Sequence, residues 1–209
     1  MWSLVTTQWM VFIYPLQLVL VPMGSMRSDQ LPNQSCSNKN FHNKEYLTRA
    51  SDFTIRFAGP EDVSIILGFI KRLAEYEKLS HEVGATEEIL KESLFIKNQA
   101  EVIIGELKGE PVAFALFFHN FSTFLGKANL YLEDLFVDDS CRGMGLGKVM
   151  FSCLARIAVE RGCERLDWWC LDWNEPSIAF YRSMGARPMS DWTVYRVDGK
   201  GLQELAGRL

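Results

Sequence analysis

Alternating apolar and polar residues predict a β-strand at the start of the regular part of the chain. In FTIRFA, polar residues separate Phe53, Ile55 and Phe57, which is the two-residue period of a strand with one buried face. The apolar positions that follow recur at helical spacing: Val63, Ile66, Leu67, Ile70, Leu73 and Ala74. Because Gly59 and Pro60 separate the two patterns, the sequence predicts a strand, a turn and an amphipathic helix.

Strands and helices continue along the rest of the chain. Thr86, followed by two glutamates, is typical of the start of a short second helix that runs towards Phe95. Three strands are predicted next: EVIIGEL, PVAFALFF and NLYLEDLFV. A 3.6-residue period then predicts a long helix with the apolar face Leu146, Val149, Met150, Cys153, Leu154, Ile157 and Ala158. A strand (RLDWWCL), a helix (PSIAFYRSMG) and a last strand (WTVYRV) complete one mixed α/β domain without repeats.

The first 51 residues differ from the rest in composition. Residues 9–23 are apolar and uncharged, but this stretch is shorter than the roughly 20 residues that span a bilayer. No Lys or Arg precedes Arg27, although a secretory signal begins with basic residues. Residues 24–50 run through Gly, Ser, Asn, Gln and Pro and can bury little apolar surface. We expect residues 1–51 to be a disordered or poorly ordered leader, with a signal or anchor segment as the alternative, and residues 52–209 to form the domain.

The charge distribution argues against nucleic acid as the partner. The whole chain has a net charge of −4; residues 1–51 carry four basic and two acidic residues, and the remainder carries 18 basic and 24 acidic residues. An acidic domain binds phosphate backbones poorly and suits cationic partners. The five cysteines show no CxxC spacing and the three histidines lie far apart, so we expect no metal and free thiols in the cytoplasm. We expect no membrane partner.

A glycine-rich segment, RGMGLG at residues 142–147, lies between a predicted strand and a predicted helix. The N–H groups at a helix N-terminus attract phosphate, glycines let the phosphate approach the backbone, and an arginine adds a bidentate donor. A dinucleotide fingerprint would need glycine where Lys148 stands, and a Walker loop would need Ser or Thr where Val149 stands. The segment therefore predicts a phosphate site of another class, with a turn used only for packing as the alternative.

RGMGLG resembles the pyrophosphate-binding motif of the GNAT superfamily of acetyl-CoA-dependent N-acetyltransferases. Three more stretches, YLEDLFV (residues 131–137), DWNEPSIAFY (172–181) and FFHNFSTFLGK (117–127), resemble the diamine (spermidine/spermine), thialysine and ornithine acetyltransferases of that superfamily. The resemblance covers roughly residues 53–197. It implies an α/β (α+β) GNAT fold, with a mixed and mostly antiparallel central sheet flanked by helices.

The resemblance also implies which residues bind acetyl-CoA. Backbone groups of Leu135, Phe136 and Val137 would hold the pantetheine arm, and an N–H there would polarise the thioester carbonyl. The pyrophosphate would lie against Arg142, Gly143, Gly145, Gly147 and Lys148. Asn174 and Ser177 would bond the far side of the arm, with simple helix capping as their alternative role. We expect acetyl-CoA as co-substrate and no other cofactor.

Tyr181 and two adjacent carboxylates carry the predicted chemistry. Tyr181 matches the tyrosine that the family uses as general acid towards the departing thiolate; otherwise it is a half-buried aromatic residue. Glu133 and Asp134 would attract the substrate ammonium. Glu133 is our first choice for the group that takes the proton of this ammonium through a water molecule. Alternation places these two on opposite faces of the strand unless a bulge intervenes, and a structural ion pair is the alternative for either.

The rest of the acceptor site is predicted at the end of the first helix. Tyr76 and Glu77 lie where the family presents aromatic and acidic groups to a polyamine, with a solvated helix end as the alternative for Glu77. Trp168, Trp169 and Trp173 are expected to pack mainly in the core.

These residues predict direct transfer of acetyl to a primary amine of a small cationic substrate: a diamine, a polyamine, or a diamino acid such as ornithine or thialysine. Two alternatives remain open. One is a GNAT acetyltransferase that acts on a protein or peptide amine or a xenobiotic, and the other is a non-catalytic acyl-CoA-binding protein. The family resemblance also implies a homodimer.

Overall fold

A computed structural model describes residues 45–47 and 52–209, and a six-stranded sheet forms the centre of this part of the chain. The strands lie in sequence order, and neighbours are antiparallel except for the last two, which are parallel. They are β1 (Glu45–Leu47), β2 (Phe53–Phe57), β3 (Glu101–Leu107), β4 (Glu110–Ser122), β5 (Lys127–Val137) and β6 (Leu166–Trp168).

Helices cover both faces of this sheet because successive side chains of a strand point to opposite faces. The helices are α1 (Val63–Tyr76), α2 (Glu87–Lys91, continued by a π-helical turn, Glu92–Ile96), α3 (Leu146–Glu160), α4 (Glu175–Ser183) and α5 (Gly199–Ala206). In β3, Val102 and Ile104 belong to the apolar core beneath α1 and α2. Ile103, between them, belongs to the core beneath α3 and α4.

The predicted fold class is confirmed: the sheet is mixed and mostly antiparallel, and helices flank it. Thr86 begins α2 as expected, since its side chain accepts a hydrogen bond from the N–H of Ile89 at 3.3 Å. The strands and helices predicted between residues 53 and 183 are present, although β6 is only three residues long. Within the described ranges, no helix has the length and apolarity needed to cross a membrane.

The predicted start of the domain is too late by one strand. Glu45–Leu47 pairs with β2, and the side chain of Tyr46 is buried in the core. These residues lie within the expected leader, so the fold begins at least as early as residue 45. The remainder of the leader prediction lies outside the described residues.

The predicted last strand, WTVYRV, is wrong. Residues 192–197 have no regular secondary structure, and Trp192 and Tyr195 are exposed by 72% and 90%. A strand needs a neighbouring strand for its N–H and C=O groups, and an apolar pattern does not provide one. The short helix α5 follows, which the pattern did not predict.

The tryptophan prediction is correct for one residue of three. Trp168 packs edge-on against Phe151 in the core, with ring centroids 5.0 Å apart. Trp169 and Trp173 are 59% and 53% exposed. Their apolar character alone did not distinguish a core position from a position at the surface.

Candidate active site

A cleft of about 710 Å³ opens at the centre of the described fold. Its walls are the end of α1, the second half of β5, the glycine-rich segment, the residues after β6 and the first part of α4. Every residue that the sequence predicted for the site lines it: Tyr76, Glu77, Glu133, Asp134, Leu135, Phe136, Val137, Arg142, Gly143, Gly145, Gly147, Lys148, Asn174, Ser177 and Tyr181. Residues more than 100 positions apart in the chain therefore meet at one place.

The cleft exists because β5 and β6 pair over a short distance. Their register joins Leu130 to Leu166 and Leu132 to Trp168, and the pairing ends there. From residue 133 onward β5 keeps β4 on one side, while its other side faces the cleft. Its backbone groups on that side can bind an extended ligand as an added strand would.

The glycine-rich segment has the conformation that the phosphate prediction requires. Gly143 and Gly145 have φ angles of +80° and +82°, which residues with a side chain rarely adopt, and a Cβ at either position would meet no atom within 4 Å. Gly145 is the N-cap of α3, so the first N–H groups of this long helix lie at the cleft. The open space and free donors fit a pyrophosphate group.

The side chain of Arg142 lies against the aromatic wall of the cleft. Its guanidinium carbon is 4.8 Å from the ring centroid of Tyr76 and 5.8 Å from that of Phe136. Its Nε donates to the Val137 carbonyl at 3.3 Å, and it forms an ion pair with Asp139 at 2.7 Å. These contacts hold a cation beside the glycine-rich segment, where it can pair with an anion.

Asn174 caps the helix that carries Tyr181. It is buried, and its Oδ1 accepts a hydrogen bond from the N–H of Ser177 at 3.3 Å. The same oxygen accepts a second bond from the Tyr76 hydroxyl at 3.2 Å. The capping role considered for Asn174 is therefore present, and the residue lines the cleft as well.

Tyr181 lies within an aromatic cluster on α4. Its ring centroid is 4.8 Å from that of Trp168 and 5.8 Å from that of Phe151. Burial, followed by the charges of Cys170, Glu77 and Asp134, raises the pKa of Tyr181 above its ordinary value. The phenol therefore keeps its proton at neutral pH, and the raised pKa also makes it a weaker acid than free tyrosine.

A β-bulge brings the two adjacent carboxylates of β5 to the same cleft. Asp134 pairs with Leu116 and Leu132 pairs with Phe117, so Glu133 has no partner in the ladder between them. The extra residue breaks the strict alternation of the strand, and both carboxylates line the cleft. Glu133 is exposed and Asp134 is half-buried.

Three acidic side chains share this end of the cleft. Burial, with the charges of Glu133 and Glu77, raises the pKa of Asp134 to about 6. Burial likewise raises the pKa of Glu77. Repulsion among the carboxylates is relieved by a bound cation, so the arrangement favours an ammonium group.

Trp169, Cys170 and Arg196 also line the cleft, although the sequence did not predict them there. Burial and the charges of Glu77 and Asp172 raise the pKa of the Cys170 thiol, so it is a weak nucleophile. Trp169 and Cys170 directly follow β6 in the sequence. Their position at the end of a predicted strand was the feature from which their place in the cleft could have been predicted. In the described part of the chain, no three His, Cys, Asp or Glu side chains have the arrangement of a metal site.

Comparisons with known proteins agree with this architecture. A family model described as the acetyltransferase (GNAT) family matches residues 69–186. Thialysine N-epsilon-acetyltransferase of Sus scrofa is 36% identical over 166 residues, covering 74% of this chain and 97% of the relative. L-ornithine N5-acetyltransferase of Arabidopsis thaliana is 29% identical over 197 residues, covering 72% and 86%. A V. cholerae integron cassette protein of solved structure has a TM-score of 0.64 at 28% identity, covering 74% and 98%.

The chain belongs to the GNAT acetyltransferase family, and it is an N-acetyltransferase. The co-substrate of this family is acetyl-CoA. The family resemblance drawn from RGMGLG and its flanking motifs is thus confirmed.

Proposed function

We propose that this protein transfers the acetyl group of acetyl-CoA directly to a primary amine of a small cationic molecule. A diamine, a polyamine, or a diamino acid such as ornithine or thialysine is the proposed acceptor. The main support is the meeting of Glu77, Glu133 and Asp134 with Tyr181 in one cleft. The named activities of the thialysine and ornithine relatives support the same acceptor class.

Acetyl-CoA, when bound, supplies the activated acetyl group and a thiolate that leaves. The glycine-rich segment and Arg142 hold the phosphates, and the free side of β5 holds the extended arm. Asp134 and Glu133 attract the acceptor ammonium, and one of them takes its proton through water so that the nitrogen can attack. Tyr181 gives its proton to the leaving sulfur, and the second proton that the nitrogen loses as it becomes the amide restores the phenol.

Asp134 is a second candidate for the proton acceptor, in addition to Glu133. A base works best when its pKa lies near the working pH, and the pKa of Asp134 is raised to about 6. Glu133 is more exposed and is placed to attract the incoming cation.

The test is release of the CoA thiol from acetyl-CoA with a panel of acceptors. The panel contains putrescine, spermidine, ornithine, thialysine, a lysine peptide and an aminoglycoside. We expect release with at least one small aliphatic diamine or diamino acid. Release only with the peptide or the aminoglycoside would replace the proposed acceptor class by the alternative one.

We also propose that the protein acts as a homodimer in the cytoplasm, without a nucleic-acid or membrane partner. The support for a dimer is the exposed apolar surface of the last segment, which includes Trp192, Val194, Tyr195, Val197 and Leu202. Light scattering coupled to size exclusion measures the mass, and we expect about twice the 23.9 kDa of the chain. A monomeric mass at micromolar concentration would contradict the proposal.

A further inference from the structure

The side chain of Tyr76 contacts Arg142, Asn174 and Trp173. It is the last residue of α1, and its side chain is half-buried. Its ring lies under the guanidinium of Arg142 at 4.8 Å, and its hydroxyl bonds Oδ1 of Asn174 at 3.2 Å. The ring centroid of Trp173, which directly precedes the N-cap of α4, lies 6.5 Å from that of Tyr76. One side chain therefore joins α1, the glycine-rich segment and the start of α4.

The ring gives Arg142 a fixed surface. An arginine side chain at the surface has several rotamers, and binding a ligand with it requires that most of them be given up. Stacking on Tyr76 and Phe136, with the bond from Nε to the Val137 carbonyl, restricts Arg142 before any ligand arrives.

The hydroxyl fixes the orientation of the Asn174 amide. An amide oxygen has two acceptor sites, and the Tyr76 hydroxyl and the Ser177 N–H occupy both. The Nδ2 amino group is then the part of this cleft-lining side chain that can donate to a ligand. A flipped amide would lose both bonds.

We infer that Tyr76 is a positioning residue for cofactor binding, acting through Arg142 and Asn174, and that it is not a group that binds the acceptor amine. This inference rests on the proposed use of acetyl-CoA at this cleft. It revises the sequence-based expectation that Tyr76 faces the substrate.

The test measures the Kd of CoA by calorimetry, without any acceptor, for the wild type and for Tyr76→Phe. The substitution keeps the ring beneath Arg142 and removes only the bond to Asn174. We expect the Kd to rise about fivefold, the usual effect of one neutral hydrogen bond. The KM of the acceptor should stay within about twofold. Tyr46→Phe makes the same chemical change at a tyrosine outside the cleft, whose hydroxyl donates to Glu160, and it should leave the Kd unchanged.

A double-mutant cycle shows whether the effect passes through Asn174. Asn174→Asp keeps an oxygen that accepts from Tyr76 and caps α4 but lacks the Nδ2 donor, and it should itself raise the Kd of CoA. Adding Tyr76→Phe to Asn174→Ala should change the Kd by less than about twofold, because the partner is already absent.

Each other outcome overturns the inference. A raised KM for the acceptor with an unchanged Kd for CoA would return Tyr76 to the acceptor site. An equal rise of the Kd with and without Asn174 would remove the route through the amide. If the wild type does not bind CoA, the proposed function fails together with the inference. If the wild type binds CoA and Tyr76→Phe binds it with the same Kd, the inference alone fails.

Discussion

At Tyr181, burial and three neighbouring acidic groups stabilise the neutral phenol. We predict that Tyr181→Phe lowers kcat about 100-fold or more, because it removes the hydroxyl that protonates the leaving thiolate. The Kd of CoA should stay nearly the same, since the ring still packs on Trp168 and Phe151. Steady-state kinetics and calorimetry measure the two quantities, and an unchanged kcat would exclude Tyr181 from proton transfer.

The raised pKa of Asp134 predicts that the protein loses stability as the pH rises. Its folded-state pKa is about 6, above the ordinary value of 3.8, so the folded state favours the neutral carboxyl. The contribution of the neutral Asp134 carboxyl to the free energy of unfolding is fully present below pH 3.8, and it is lost as the pH rises through 6. Asp134→Asn has no such loss, so its free energy of unfolding relative to the wild type should increase by on the order of 2–3 kcal/mol between pH 4 and pH 8.

Denaturant unfolding at the two pH values measures this difference. Glu133→Gln is a second test, because the charge of Glu133 is one cause of the raised pKa of Asp134. Its free energy of unfolding relative to the wild type should increase in the same direction between pH 4 and pH 8, but by less than that of Asp134→Asn. A difference for Asp134→Asn that does not grow from pH 4 to pH 8 would contradict the raised pKa of the carboxyl.

The residues that line the cleft were predictable because each motif is local in sequence. RGMGLG specifies its own turn, and WNEP specifies a cap and a helix start. The sides to which Glu133 and Asp134 point were not predictable, because the bulge depends on how Leu116 and Phe117 of β4 pair with them. A property that belongs to a pair of strands is not encoded in the pattern of one strand.

Among the elements, the turn into α3 depends most directly on glycine. We predict that Gly145→Ala lowers the free energy of unfolding by about 1 kcal/mol, because φ is +82° and the added methyl meets no other atom. Gly147→Ala, inside the first turn of the helix, should keep or slightly raise stability. Its new methyl would make only ordinary contacts at 3.7–3.8 Å with Phe180 and Val137.

Thermal unfolding and the Kd of CoA separate backbone strain from obstruction of the ligand. If the segment cradles a phosphate, both alanine variants should weaken CoA binding while only Gly145→Ala loses stability. Normal CoA binding by both variants would contradict the predicted phosphate site.

Element prediction succeeded where one face of an element packs on the sheet. α1 and α3 have long apolar faces, and both are present near the expected positions. It failed where pairing or length decides. β1 has three residues, too few for a period to appear, and WTVYRV has a strand-like composition without a paired neighbour among the described residues.

For the whole molecule, the placement of β1 predicts where the chain can be shortened. A chain that begins at Glu45 keeps β1, whereas a chain that begins at Asp52 loses it and the buried ring of Tyr46. We predict that the shorter chain is less stable by about 3 kcal/mol, the scale of losing one large core side chain. Chemical denaturation of the two truncated proteins measures the difference, and equal midpoints would show that β1 adds nothing.

The overall arrangement could be predicted from the order of elements together with the family motifs. Two helices before three strands, followed by a glycine-rich turn and another helix, are typical of this fold. The size of the cleft could not be predicted, because it depends on where β5 and β6 stop pairing.

The early end of the β5–β6 pairing also determines how the backbone exchanges hydrogen with solvent. From Glu133 to Val137, the N–H groups that point away from β4 face an open cleft, so they should exchange rapidly even though they belong to a long central strand. A bound ligand arm that pairs with β5 would slow them. The interior of the sheet thus contains a row of amides that reports, residue by residue, whether the cleft is filled.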